Sequence, residues 1–345
     1  MIRRPPRSTL DRSSAASDVY KRQMNNLKKI GLSALAGSLA SVSAHAAEVS
    51  VSGSASITMD RTAEHLVTGN DFSMGDSLGF NMSGETDGGL GVAVYYEIDG
   101  GALDDYDMTL SGDWGSLKFN GSGSSSALGA VDDVMPNAYE ESWDILDTDG
   151  TGTSGSPMVI GGGGGANMFI YTSPTIAGAT LTMAYQNDGG AAAVEDSYTD
   201  FAIAYSPEMV EGLTLGYARG SQQTGVNVDA DKSTVYAKYA AGGFTFGYQV
   251  SEADHDTKSS SADVVAYGVT YAVNDDLSIG YSSHTLEPDS AASSSASNDQ
   301  ESTGVSASYT MGGMTLAGAM NETDNMRGIA SNDFEAYEFN LSFAI

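Results

Sequence analysis

The sequence predicts an all-β fold, a transmembrane antiparallel β-barrel of about sixteen strands. Apolar and polar residues alternate with a period of two in segment after segment, which is typical of strands with one apolar and one polar face. The connections alternate between tight turns and longer polar loops, as they do in outer-membrane barrels. Beyond the N-terminal region no apolar run reaches the roughly eighteen residues of a membrane helix. A soluble β-sandwich, with the apolar face as its core, is the alternative.

The first 46 residues are predicted to lie outside the barrel. From Met24 the chain has the features of a secretory signal peptide, which are a basic pair, an apolar run and an A-x-A cleavage motif. These are Lys28 and Lys29, residues 30–42 and residues 44–46. Residues 1–23 resemble a translated sequencing adapter, and we expect them not to belong to the fold. The domains are therefore a leader at 1–23, a signal peptide at 24–46 and one barrel at 47–345.

The charge balance is strongly acidic. The chain has 15 Lys and Arg against 45 Asp and Glu, a net charge of −30. Residues 1–46 hold eight of the basic and two of the acidic residues, so the predicted barrel is more acidic still. Because nothing could neutralise phosphates, nucleic acid is excluded as a partner. The absence of cysteine excludes disulfides, thiol nucleophiles and Cys-ligated metals.

The first strand is predicted at residues 48–60, where Val49, Val51, Ile57 and Met59 alternate with serine and threonine. Four more strands precede a long acidic segment and eleven follow it. They are centred on residues 78–82, 90–98, 106–110, 117–119, 168–170, 181–185, 201–205, 213–217, 235–239, 244–250, 265–271, 277–281, 305–309, 314–320 and 337–345. The longer loops are predicted at 60–71, 99–105, 122–166, 187–197, 221–232, 252–262, 285–300 and 322–333. In a barrel the apolar faces meet lipid and the polar faces line water.

The longest connection runs from Ser122 to Ala166 and contains no Lys or Arg. It ends in five glycines, Gly161 to Gly165, and carries the acids Asp132, Asp133, Glu140, Glu141, Asp144, Asp147 and Asp149. An irregular run of this length is usually functional or disordered. One interpretation is an ordinary solvated loop. The other is a negative screen across a water-filled lumen, where it would concentrate cations.

Three stretches resemble Gram-negative general porins of the Rhodobacter type. Asn167 to Pro174, followed by Gly178 and Leu181 to Tyr185, resembles the strand-turn-strand after their constriction loop. Glu48 to Gly53 resembles the start of their mature chain. Tyr337 to Ile345 resembles the last strand that the barrel-assembly machinery recognises, although the family commonly ends in Phe and this chain ends in Ile345.

The resemblance implies a homotrimer of sixteen-stranded barrels in the bacterial outer membrane, in contact with lipid and lipopolysaccharide. It also implies that the third long loop, here 122–166, folds inward to narrow the pore opposite basic residues. Lys118 and Lys238 alternate to the polar face, whereas Arg61 and Arg219 lie at predicted strand ends where the face is open. These four are the candidates for the facing basic cluster. Since acids greatly outnumber them, we expect a preference for cations.

Calcium is the one cofactor that the sequence leaves open. Residues 147–151 look like part of a calcium loop, but an EF-hand frame would place Ile145 at the first ligand and Ser156 where Glu belongs. A looser site at Asp144, Asp147 and Asp149 stays possible. Ser282 and His284 share a strand face, a spacing common by chance, so no catalytic residue is predicted and the protein is not expected to be an enzyme.

The predicted function is therefore that of a general-diffusion porin, which passes small hydrophilic solutes and ions passively. A substrate-selective channel is one alternative, and Tyr139 and Trp143 are the aromatic residues of the long loop that could form its solute track. A secreted acidic calcium-binding β-protein is the other.

Overall fold

The computed structural model describes residues 48–62, 71–143, 167–187, 197–225, 228–256, 261–288 and 298–345. These residues form sixteen antiparallel strands in one closed barrel, in which each strand pairs with its neighbours in sequence and β1 pairs with β16. The strands are β1 (Glu48–Thr62), β2 (Asp71–Glu85), β3 (Gly91–Asp99), β4 (Ala102–Gly112), β5 (Gly115–Ser122), β6 (Met168–Thr172), β7 (Ala179–Gln186), β8 (Tyr198–Tyr205), β9 (Leu213–Gly225), β10 (Val228–Ala241), β11 (Phe244–His255), β12 (Ala262–Ala272), β13 (Leu277–Pro288), β14 (Gln300–Met311), β15 (Met314–Asp324) and β16 (Phe334–Ala344). The predicted fold class and strand number are confirmed.

A one-turn 3-10 helix at Met326–Gly328 precedes β16. Within the part of the chain that the structure describes, no helix is long and apolar enough to cross a bilayer. The leader and signal peptide predicted at 1–46 lie outside the described residues, so both stay predictions.

Side chains along each strand point alternately out of and into the barrel. Outward positions carry large apolar side chains that are exposed, for example Val235 at 54% and Tyr248 at 53%. Their inward neighbours Thr234 and Gln249 are buried. A soluble sandwich would bury the apolar face, whereas this barrel exposes it all round, as a lipid-facing surface requires. The sandwich alternative is therefore wrong.

The last residue takes part in the pairing of β1 with β16 that closes the barrel. The register of β1 with β16 runs from Ser54 opposite Ala344 to Thr62 opposite Ala336. Beyond it, the backbone N–H of Gly53 donates to the carbonyl of Ile345 at 3.0 Å, and the N–H of Ile345 donates to the carbonyl of Gly53 at 2.8 Å. The Ile345 side chain itself is 86% exposed.

Several strands extend further than the sequence predicts. The loop predicted at 99–105 is wrong, because β3 and β4 are joined by a tight turn at Gly100 and Gly101, with φ of 54° and 81°. The predicted loops at 221–232 and 285–300 are too long, since β10 already begins at Val228 and β13 continues to Pro288. Backbone pairing continues there, but acids replace the apolar residues at outward positions, so the alternation that marks a strand disappears.

These outward acids form an acidic rim near the long-loop ends of the strands. Glu252 of β11 lies opposite Asp263 of β12, and Asp263 lies opposite Glu287 of β13. Glu322 and Glu335 face each other in the same way across β15 and β16. On these five strands the apolar band therefore ends at a row of carboxylates.

In the strand predicted at 168–170, the alternation seen in the other strands would place Met168 and Ile170 on the apolar outer face, but in β6 they point inward. Its outward residue is Phe169, which is 46% exposed, whereas Met168 is fully buried and packs with Leu128, which lies in the segment between β5 and β6. All four residues from Met168 to Tyr171 are apolar or aromatic, so periodicity could not fix the face of this strand. The inner side of β6 is apolar because Met168 and Ile170 pack in the same cluster as Leu128.

Candidate pore constriction

The chain that follows β5 stays in contact with the inner wall of the barrel. Residues 123–143, called the wall segment below, are the described part of the long acidic connection. Their first anchor is Asp200, a buried residue on the inner face of β8. Its carboxylate accepts hydrogen bonds from the backbone N–H groups of Ala127 at 3.2 Å and Leu128 at 2.7 Å. The Tyr198 hydroxyl donates to the same carboxylate at 2.9 Å, so this buried charge has three donors.

Apolar packing reinforces this first anchor. Leu128 is fully buried in a cluster with Met168 and the inward alanines of β7, β8 and β9, with Val131 packed against it. The alanines are Ala184, Ala202 and Ala218. Small inward side chains on three neighbouring strands leave the space that Leu128 fills.

Gln249, on the inner face of β11, provides the second anchor. Its amide nitrogen donates to the carbonyls of Val131 at 3.0 Å and Asp132 at 2.7 Å. Its amide oxygen accepts from the N–H of Val134 at 3.2 Å. One buried side-chain amide thus satisfies three backbone groups that have no strand partner.

The third set of anchors lies on β14, β15 and β16. The Ala138 N–H donates to the Ser306 hydroxyl at 3.0 Å, and the Asn321 amide donates to the carbonyl of Glu141 at 2.7 Å. The Tyr139 hydroxyl donates to the Glu338 carboxylate. Burial raises the pKa of Tyr139, and the bond to Glu338 and the neighbouring carboxylates raise it further, so the phenol stays protonated. The ring packs against Met326, Phe334, Ala319 and Ala336.

Trp143 ends the described part of the segment. It is buried, and its ring lies 4.5 Å from that of His284 on β13. Ser282 and His284 are both buried as well. Tyr139 and Trp143, the aromatic candidates for a solute-stacking track, are therefore occupied in packing.

The structure describes four of the seven predicted acids. Asp132, Asp133, Glu140 and Glu141 all lie in the wall segment, each partly buried. Asp144, Asp147 and Asp149, with the calcium site predicted there, lie outside the described residues. Elsewhere in the described residues no group of three His, Asp or Glu side chains is arranged to hold a metal.

The candidate basic residues are not gathered opposite the segment. Lys118 is on the inner face of β5 as expected, but it forms an ion pair with Asp107 at 3.0 Å and reaches Ser124 at 3.4 Å, at the root of the segment. Lys238 occupies an inward position on β10, paired with Gly247 of β11. Arg61 pairs with Tyr337 in the register of β1 with β16, and its side chain is outside the described part.

Arg219 points outward. It lies opposite Phe201 of β8, on the exposed apolar face, and forms an ion pair with Asp231 at 3.1 Å in which both side chains are about half exposed, 54% and 48%. An outward residue cannot face a loop on the inner wall, so Arg219 is removed from the candidate basic cluster.

Lys232 is the basic residue that the sequence analysis missed. Lys232 occupies an inward position on β10, opposite Gly220 of β9 and Ala253 of β11. The carboxylate of Asp132, in the wall segment, attracts its ammonium group electrostatically. The sequence contains a signal for Lys232, because residues an even number apart on a strand share a face and Lys238 is predicted to face inward. The loop predicted at 221–232 includes it, because the acids around Lys232 hide the start of β10.

Carboxylates dominate the inner surface that the structure describes. Asp105, Asp107, Tyr95 and Lys118 contribute to a cavity of about 610 Å³ beside the root of the segment. The inner wall and the segment together carry the acids Asp60, Glu97, Asp105, Asp107, Asp132, Asp133, Glu140, Glu141, Asp200 and Glu338, and the lysines Lys118, Lys232 and Lys238. Among these residues the carboxylates outnumber the lysines ten to three.

A closed sixteen-stranded barrel with an exposed apolar outer face and a polar inner face is a transmembrane β-barrel of the channel type. Residues 31–296 match the model of the Gram-negative porin family. The chain belongs to this family, and family and fold together indicate an outer-membrane porin.

Solved structures of porins have the same fold. The anion-selective porin from Comamonas acidovorans is 14% identical with a TM-score of 0.65, covering 87% of this chain and 100% of that chain. A mutant of Rh. blastica porin is 15% identical with a TM-score of 0.60, covering 86% and 100%. OmpT from Vibrio cholerae, in its trimer form, is 10% identical with a TM-score of 0.64, covering 87% and 100%. At these identities the likeness concerns the fold alone. No curated protein sequence matches the chain significantly.

Proposed function

We propose that this porin is a general-diffusion channel, which passes small hydrophilic solutes and ions passively through a water-filled lumen that the wall segment narrows. The observation that carries the proposal is the chain of contacts from Asp200 on β8 to Glu338 on β16, all on the inner face. A segment held at so many points occupies the lumen rather than lying over its mouth. The protein carries out no chemical reaction, since a passive pore requires only the size and charge of its narrowest part.

The same channel is proposed to prefer cations. The support is the excess of carboxylates on the inner wall and the segment, with Lys118 already paired to Asp107 and Lys232 close to Asp132. The name of the Comamonas porin states the opposite preference, but selectivity depends on individual pore-lining residues and does not follow from a shared fold.

Planar-bilayer recording of the purified porin tests both proposals. We expect ohmic single-channel conductance and, in a salt gradient, a reversal potential with the sign of cation selectivity. A reversal potential of anion sign would remove the cation preference and leave the channel, whereas purified protein that never inserts would remove the channel itself.

A homotrimer is proposed as the assembled state, in line with the trimer form of the Vibrio neighbour. Lipopolysaccharide and membrane lipid would contact the apolar outer face, and the barrel-assembly machinery would recognise Tyr337 to Ile345. Conductance that rises in steps of three supports the trimer, and single steps with a monomeric mass in detergent contradict it. The calcium site remains a proposal for Asp144, Asp147 and Asp149, to be checked by calcium binding to the purified porin.

The alternative of a substrate-selective channel receives less support. Its solute track required Tyr139 and Trp143, and these side chains are bound to Glu338 and packed on His284.

A further inference from the structure

Four neighbouring strands each carry one glycine at an inward position. Gly247 of β11 lies directly opposite Gly268 of β12. Gly280 of β13 lies opposite Thr270 of β12, and Gly304 of β14 lies opposite Ser282 of β13. Each glycine is flanked along its strand by residues that point outward, such as Phe246 and Tyr248 around Gly247. Ser282 lies between Gly268 and Gly304 in the register, so this part of the inner wall carries only glycines and one small side chain along the row from β11 to β14.

The backbone does not explain these glycines. None of the four has a positive φ, the conformation for which glycine is usually required. Glycine in the interior of a strand weakens that strand, and it often marks a place where another stretch of backbone approaches closely. A close approach of another stretch of chain to the sheet is therefore the physical reason for glycine at these positions.

The wall segment occupies that space. A β-carbon at Gly247 would lie 2.4 Å from Cδ of Pro136, and one at Gly268 would lie 2.6 Å from the Pro136 carbonyl oxygen. A β-carbon at Gly280 would lie 2.8 Å from the backbone nitrogen of Ala138. These are contacts that real β-carbons essentially never make, and at Gly268 and Gly280 the neighbour is backbone, which cannot rotate away.

Gly304 continues the same line. Its β-carbon would lie 3.1 Å from Cα of Ser142 and 2.2 Å from the amide oxygen of Asn321, the side chain that holds the Glu141 carbonyl. The contacts advance from Pro136 to Ser142 as the strands advance from β11 to β14. The bond from Ala138 to Ser306 lies within the same stretch.

We propose that Gly247, Gly268, Gly280 and Gly304 form a glycine track whose function is to seat residues 135–142 against the wall and so to set the opening of the pore. This inference rests on the proposed function, since it concerns how the narrowing segment is held. The glycines are positioning residues and need not touch the solute. A methyl group at any of them would push the segment away from the wall and into the lumen.

Cysteine cross-linking tests the track, because the chain has no cysteine of its own. Ala138→Cys and Ser306→Cys, combined in the full-length porin, place two thiols where the Ala138 N–H meets the Ser306 hydroxyl at 3.0 Å. A short bis-methanethiosulfonate reagent should link them in the parent protein. We expect Gly268→Ala, alone or with Gly247→Ala, to abolish the cross-link and to change the single-channel conductance.

Gly79→Ala is the matched control. Gly79 is an inward strand glycine on β2, and the nearest neighbours of a β-carbon there would be the side chains of Ser52 and Tyr95, at 3.1 Å, rather than atoms of the wall segment. It should keep both the cross-link and the parental conductance. Heat-modifiable migration on gels selects folded barrels for the comparison, and Gly280→Ala and Gly304→Ala supply independent variants if one does not fold.

The possible results separate the two proposals. A folded Gly268→Ala barrel that cross-links as well as the parent would overturn the glycine track and leave the channel function standing. A parent protein that conducts but does not cross-link would show that the segment is not seated on the wall, and it would overturn the glycine track as well. A parent that neither cross-links nor conducts would remove the proposed function itself.

Discussion

The carboxylate of Asp200 accepts a hydrogen bond from the backbone N–H of Leu128 at 2.7 Å, across the inner face of the barrel. The neighbouring N–H of Ala127 donates to the other oxygen of the same carboxylate. A buried acid is thus satisfied by two backbone groups of the wall segment, and those groups have no strand partner of their own. The contact therefore fixes where the segment begins to follow the wall.

Replacing Asp200 should release this end of the segment. Asp200→Ala leaves the two N–H groups without their acceptor, at a cost of about 1–3 kcal/mol for each one that stays buried. We expect the folded porin to become sensitive to protease within residues 123–143, with Asp200→Asn intermediate because it keeps one oxygen. Thr199→Ala, at an exposed outward position, is the control. Equal protease resistance in Asp200→Ala and the parent would show that the bond does not hold the segment.

Trp143 offers a direct optical report on the segment. The chain has two tryptophans, and Trp114 is 44% exposed whereas Trp143 is 8% exposed and lies on His284. In Trp114→Phe, the remaining emission should be blue-shifted and weakly quenched by acrylamide. In Trp143→Phe it should be red-shifted and readily quenched. If both variants are quenched alike, Trp143 is not buried in the folded porin.

Neutralising acids of the segment should weaken cation selectivity. Asp132→Asn with Asp133→Asn removes two charges from a water-filled lumen, where the low-dielectric walls focus the potential of each charge. We expect the cation-to-anion permeability ratio from reversal potentials to fall severalfold. Asp113→Asn, in the turn between β4 and β5, removes one charge away from the segment and should leave the ratio unchanged. An equal effect at both sites would indicate that net charge alone sets selectivity.

Lys232 and Arg219 should differ sharply in their effect on selectivity. Lys232→Gln removes the inward cation near Asp132, so we expect a stronger preference for cations in the same reversal-potential measurement. Arg219→Gln removes an outward cation whose partner Asp231 is also outward, and it should change nothing. A selectivity change in Arg219→Gln would mean that this residue reaches the pore after all.

The C-terminal residue should contribute through its backbone rather than its side chain. Deleting Ile345 removes both hydrogen bonds with Gly53, and at about 1 kcal/mol each this should lower the temperature at which the barrel loses its folded gel migration. Ile345→Phe keeps those bonds, and because the side chain is 86% exposed the same temperature should hold. A large loss of stability in Ile345→Phe would contradict this assignment.

Periodicity predicted the barrel well because lipid outside and water inside impose opposite demands on alternate residues. Periodicity failed where outward residues are not apolar or inward residues are not polar. Outward acids such as Asp263 and Glu287 hid the ends of β12 and β13, and apolar residues at every position of β6 hid which face Met168 occupies. Sequence spacing alone also could not show that Gly100 and Gly101 form a complete turn.

The site was less predictable than the fold. Acids of the long loop and Lys118 could be identified from composition and parity, since those properties are local. Asp200 and Gln249 could not, because their partners in the wall segment lie 72 and 73 residues away along the chain for Asp200 and 117 and 118 residues away for Gln249. Long-range contacts of this kind leave no periodic trace in the sequence.

The acidic rim has a consequence for the behaviour of the barrel in salt. Glu252, Asp263 and Glu287 stand side by side on three adjacent strands, and like charges opposite each other in a sheet oppose folding. Added electrolyte shortens the reach of such repulsion to about 8 Å at physiological ionic strength and further above it. A surface held together by ion pairs loses stability as salt is added. The acidic rim should instead make the barrel more stable as salt is added, so the melting temperature of the porin should rise with ionic strength.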